Sequence, residues 1–127
     1  MFLDTSIIIE IFRSQRKSQT FKDIFKLIKD EPLFISLIQL GEISDWCLKN
    51  SINPEKRISK LKQILNIVPL SEKLCVEGLK IKHTIRNKGM KKFSLIDGII
   101  LSSARSINQK LLTLENDFRM IHDTIIL

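Results

Sequence analysis

The chain has 127 residues, with ordinary apolar content, four glycines and three prolines, enough for one folded domain with its own core and too few for two. Lysines and arginines leave a formal charge of +7, which favours a polyanionic partner without proving one, while acids and lysines interrupt every apolar run before it could span a bilayer. The cysteines, Cys47 and Cys75, are spaced for neither a redox pair nor a zinc site, so both are expected in the core; with no basic leader before Asp4, the protein is expected to be cytoplasmic.

In chain order, MFLD reads as a short buried strand, and TSIIIEIF as a helix with Thr5 or Ser6 near its cap. TFKDIFKLIKD is a second helix, ending near Glu31-Pro32. LFIS is a strand, after which Ser36 is expected to cap the helix LIQLGEISDWCLKN, with Gln39 as its capping-box partner. Pro54 suits the first turn of the next helix. NIVPL is a third strand; Ser71 opens the helix SEKLCVEGLKIKHTIRNK and Gly89 closes it. Ser94 caps FSLIDGIILSSAR, KLLTL is a fourth strand, ENDF a turn or short helix, and TIIL a last edge strand. Short apolar strands alternating with amphipathic helices predict a three-layer α/β/α sandwich around a central parallel sheet of four to five strands.

The acids carry the chemistry. In open parallel sheets ligands bind beyond the carboxyl ends of the strands. Asp4 ends the first strand, and Glu115 and Asp117 follow the fourth. Glu42 lies in the second predicted turn of a helix that starts at the same edge. Asp97 shares a helical face with Ile100, Leu101 and Ala104, where a carboxylate is costly to desolvate. Each has an ordinary alternative. Asp4 could cap the helix after it, Asp97 could complete a capping box with Ser94, Glu115 and Asp117 could be turn acids, and Glu42 a solvated helix residue. Together, such acids at one edge of a basic protein would repel one another unless a hard divalent cation sat among them. His83 and His122 are isolated, and no glycine-rich phosphate loop is present. An acid-only site with Mg²⁺ or Mn²⁺ points to phosphodiester hydrolysis.

MFLDTS, the acid of LGEISDW, FSLIDGIILSSAR and LLTLENDF stand in the order expected of a PIN domain. More closely, the chain resembles the single-domain toxin nucleases of VapBC toxin–antitoxin pairs. That resemblance implies a single PIN domain over residues 1–127. Asp4, Glu42 and Asp97 match the family's first three metal-site acids, and Ser6 or Thr5 its supporting hydroxyl. The family's T-x-D-x-D-F pattern appears as Thr113-Leu114-Glu115-Asn116-Asp117-Phe118, a glutamate replacing the first aspartate. Either Asp117 supplies the fourth ligand or Glu115 acts through water; Thr113 adds a hydroxyl beside them. The implied activity is a Mg²⁺- or Mn²⁺-dependent endoribonuclease acting on structured RNA such as tRNA or ribosomal RNA. The implied partners are a cognate antitoxin and a second copy in a homodimer. Lys82, Arg86, Lys91 and Lys92, in the basic segment before the Asp97 helix, are the expected guides for the RNA backbone. Trp46, one turn after Glu42, is expected in the core. The competing reading is a PIN-like domain without turnover that binds RNA or protein, and Glu115 is the feature in its favour.

Overall fold

The computed structural model describes residues 1–14 and 18–127. In chain order its elements are β1 (Phe2–Leu3), α1 (Thr5–Arg13), α2 (Gln19–Ile28), β2 (Phe34–Ser36), α3 (Gln39–Lys49), α4 (Pro54–Lys62), β3 (Asn66–Val68), α5 (Glu72–Asn87), α6 (Leu95–Ser106), β4 (Leu111–Thr113), a 3₁₀ turn (Asn116–Phe118) and β5 (Thr124–Ile126). The strands form one five-stranded sheet in the order β3-β2-β1-β4-β5, every pairing parallel. The three-layer α/β architecture expected from the sequence is the one found.

The strands are short, and adjacent residues serve opposite faces because side chains alternate across a sheet. Phe2 and Leu111 pack with Phe93, Ile100, Leu101 and Ala104 beneath α5 and α6. Their neighbours Leu3, Ile35 and Leu112 pack with Ile7, Ile24, Ile43 and Leu61 beneath α1 to α4. Phe2 is aligned with Phe34 on one side and Leu111 on the other, and Leu3 with Leu112. This register brings the carboxyl ends of β1, β2 and β4 to one edge.

Helix caps follow the sequence in most places. Ser18, Asn53, Ser71 and Ser94 each accept a backbone N–H at their helix starts. Gly89, with φ of +103°, ends α5 in a left-handed conformation that a side chain would strain. Two expectations are corrected. Ser36 is the last residue of β2 and caps nothing: α3 begins at Gln39, so Glu42 lies in its first turn. Half of the expected box does form, because Gln39 Oε1 accepts the Ser36 N–H at 2.8 Å. Cys47 is fully buried, but Cys75 is half-exposed on α5, since the packed side of that helix is the Leu74, Gly78 and Ile85 stripe. Trp46 is half-buried against Phe12, with ring centroids 5.7 Å apart, as a core residue would be.

Candidate active site

Asp4 is 4% exposed, and its backbone, at φ −71° and ψ 157°, continues the extended line of β1. It occupies the position before α1 but makes no side-chain cap. Its Oδ2 instead accepts hydrogen bonds from Ser6 Oγ at 2.6 Å and Thr113 Oγ1 at 2.8 Å. Both hydroxyls also accept a backbone N–H, Ser6 from Leu114 at 3.1 Å and Thr113 from Glu115 at 3.0 Å. Their protons are therefore committed to Asp4, which ties the end of β1 to the turn after β4.

Glu42 is half-buried and accepts a hydrogen bond from Thr5 Oγ1 at 2.6 Å. Behind it lies Gln39, fully buried, whose Nε2 donates to Leu3 O at 2.8 Å and Thr5 Oγ1 at 3.3 Å. From the sequence Gln39 is only a capping partner; its further contacts are at the end of β1 and the start of α1, more than 30 positions away, where no local pattern reveals them. Ser36 Oγ, also fully buried, is the one such side-chain polar atom among the described residues without a hydrogen-bond partner.

Asp97 completes a capping box: its Oδ2 accepts the Ser94 N–H at 2.8 Å, and Ser94 Oγ accepts the Asp97 N–H at 3.0 Å. Residues packed next to it fix where the box points. Phe93, fully buried, meets fully buried Phe118 edge-on, with centroids 5.2 Å apart, a favoured aromatic geometry. This contact clamps the start of α6 against the turn that carries Glu115 and Asp117. Glu115 is exposed and Asp117 half-buried.

Mutual repulsion shows that the acids share one field. The Glu42 carboxyl is pushed upward in pKa first by burial, against the Thr5 hydrogen bond, and then by Asp4 and Asp97. Asp97 is raised by burial, against its bonds to Ser94, with further rises from Asp4 and Asp117. Glu115 is raised by burial, then by Asp4, Asp117 and Asp97. Among the described residues none of the five pairs with a lysine, arginine or histidine. Asp4, Glu42 and Asp97 each have one carboxylate oxygen engaged and one without a hydrogen bond there. This donor set fits a hard divalent ion, which takes oxygen ligands and supplies the missing countercharge. Among the described residues no three Asp, Glu, His or Cys side chains converge closely enough to enclose an ion by themselves. The five acids are therefore within electrostatic range without forming a closed cage, a pattern suited to Mg²⁺ or Mn²⁺ holding one or two carboxylates and several waters.

Of the basic residues, Arg86 has a contact next to this edge. Arg86, in the last turn of α5, donates from Nε to Phe93 O at 2.7 Å, directly before the Ser94–Asp97 box. Lys91 and Lys92 are exposed in the turn leading to that box, and Lys82 is half-buried one turn before Arg86.

The PIN-domain family model matches residues 1–123. The chain belongs to the PIN-domain family. Solved toxin and toxin–antitoxin structures share its fold. A toxin–antitoxin complex from Klebsiella pneumoniae has a chain 24% identical, with 98% of this chain and 94% of that one covered and a TM-score of 0.75. VapBC-1 from nontypeable Haemophilus influenzae is 25% identical, with 99% and 95% covered and a TM-score of 0.71. VapC20 from Mycobacterium tuberculosis, a toxin that cleaves the sarcin–ricin loop, is 15% identical, with 99% and 97% covered and a TM-score of 0.73. No curated protein matches the chain in sequence.

Proposed function

We propose that this PIN domain is a metal-dependent endoribonuclease, the toxin of a toxin–antitoxin pair. The observation that carries the reading is the acid edge: Asp4, Glu42 and Asp97, held by hydroxyls and a cap, with Asp117 and Glu115 in the same field and no basic side chain paired to any of them among the described residues. A Mg²⁺ or Mn²⁺ ion bound there would activate water and offset charge at a phosphodiester. The protein's own part is to hold one oxygen each of Asp4, Glu42 and Asp97 still and leave the other for the ion or for the waters it keeps. Arg86, Lys82, Lys91 and Lys92 then position the RNA backbone, as contacts to phosphate do without reading sequence. The toxin assignment is supported by the fold shared with toxin–antitoxin structures. An apolar groove lined by Phe12, Phe21, Phe25, Ile28, Leu61 and Ile64, in which Phe25 is 53% and Ile64 67% exposed, offers an antitoxin an adhesive surface.

The test is cleavage of structured RNA by purified, antitoxin-free protein with Mn²⁺ or Mg²⁺, against an EDTA control and Asp97→Asn. Asparagine keeps an acceptor for the Ser94 N–H, so the capping box survives while the charge is lost. Cleavage should vanish with EDTA and fall at least about 100-fold in the variant, because removing partners of metal ligands already costs 10- to 100-fold. Metal-independent cleavage, or a variant as active as wild type, would remove the proposal. RNA binding without Mn²⁺ binding or turnover would favour the binding-module alternative.

A further inference from the structure

We infer that Gln39 is a positioning residue for Glu42, acting through the Thr5 hydroxyl, and that it sets the geometry in which Glu42 meets the divalent ion. The inference rests on the nuclease reading above and adds a residue to it.

Gln39 is 0% exposed, and its amide is used in three directions. Oε1 accepts the Ser36 N–H at 2.8 Å, while Nε2 donates to Leu3 O at 2.8 Å and to Thr5 Oγ1 at 3.3 Å. The amide can have only this orientation. Turned over, its oxygen would face the Leu3 carbonyl and its NH₂ would face the Ser36 N–H, two contacts between like groups.

The consequence passes to Thr5. A hydroxyl has one proton and accepts on its other side. With Nε2 on the accepting side, the Thr5 proton is left for Glu42 Oε1, 2.6 Å away. One carboxylate oxygen is thereby fixed, and the rotation of the other about the side chain is restricted. Gln39 and Glu42 are three residues apart on α3, yet they communicate through the first residue of α1. The relay also joins the ends of β1 and β2, so Glu42 is referenced to the same backbone that carries Asp4. Pre-organisation of this kind lowers the cost of ordering a ligand when an ion arrives.

The bland alternative is that Gln39 only straps two strands together. A double-mutant cycle separates the two roles. Mn²⁺ affinity of the EDTA-stripped, dialysed protein is measured by titration for wild type, Gln39→Met, Thr5→Val and the double variant, with RNA cleavage and thermal midpoint alongside. Gln39→Met and Thr5→Val should each weaken Mn²⁺ binding about 10- to 100-fold. The double variant should be no worse than the poorer single one, and Thr5→Ser, which keeps the hydroxyl, should stay near wild type. Should Gln39→Met fail to fold, Gln39→Glu replaces it in the cycle: in its buried, neutral form it keeps the size, the Ser36 contact and one O–H donor for Leu3 O, and has no second donor for Thr5. A lowered thermal midpoint with unchanged Mn²⁺ affinity would overturn the inference, as would losses that multiply in the double variant. If the cycle multiplies while wild type binds Mn²⁺ and cleaves RNA, only the Gln39 relay falls. A wild type that neither binds Mn²⁺ nor cleaves removes the nuclease reading and the relay with it.

Discussion

Asp97 accepts the Ser94 N–H with one oxygen and leaves the other unbonded among the described residues, so its structural and chemical roles need not compete. Charge is the part that costs stability. Glu42, Asp97 and Glu115 are all more readily protonated in the folded chain than their ordinary values of 4.5 and 3.8 imply. Folding therefore takes up protons, and the acids weaken the fold as pH rises from those values through the raised ones. Asp123 works the other way. Its bidentate bonds from Arg105, at 2.7 and 2.8 Å, hold its carboxyl below the ordinary value, so that contribution is present at higher pH and lost as pH falls through the lowered value. In EDTA the thermal midpoint should decline as pH rises from the ordinary carboxylate values through the raised ones. Mn²⁺ should restore it most at neutral pH, and Asp97→Asn should flatten the decline; a thermal scan series with and without the ion checks all three.

At the scale of elements, α5 and α6 touch through glycine. A Cβ on Gly98 would sit 2.1 Å from the Gly78 carbonyl oxygen, and one on Gly78 would lie 2.8 Å from the Ile99 backbone nitrogen. Backbone cannot yield there as a side-chain tip could. Gly98→Ala should therefore destabilise at or beyond the upper end of the roughly 1–3 kcal/mol usual for overpacking. Gly41, exposed on α3 with nothing within 4 Å of an added Cβ, makes the contrast: Gly41→Ala should stabilise by about 0.5–1 kcal/mol. Urea midpoints of the two variants should move in opposite directions. The same scale shows what the sequence revealed. The Ser94–Asp97 box was readable because both partners lie within one helical turn. That Asp4 makes no cap was not readable, because one of the two hydroxyls it bonds instead, Thr113, is 109 positions away. Ser36 was misread because its pattern matched a box of which only the Gln39 half forms.

Across the whole molecule, strand alternation and helix periodicity were enough to predict the sheet and its layers, since both depend on near neighbours. The meeting of five acids depended on register between strands, which only long-range packing sets. Charge is also a property at this scale. The chain is net +7 although five of its acids share one field, so, on the nuclease proposal, RNA should be drawn to Arg86, Lys91 and Lys92 rather than to the acids themselves. Lys92→Ala should weaken RNA binding similarly for unrelated sequences and reduce the steepness of the log affinity–log salt plot by about 1. Affinity measured across a salt series decides it; an unchanged slope would place the backbone contact elsewhere.

The central strand of the sheet is made of the chain's second and third residues, and its neighbour on one side is β4 at positions 111–113. Closing so long a loop is slow compared with forming helices from adjacent residues. β1, with Asp4 at its end, therefore has only β2 to pair with until β4 docks on its other side. The acid edge is thus completed only by the longest-range pairing in the sheet: without β4, Asp4 loses the Thr113 hydroxyl and the site loses both acids of the following turn.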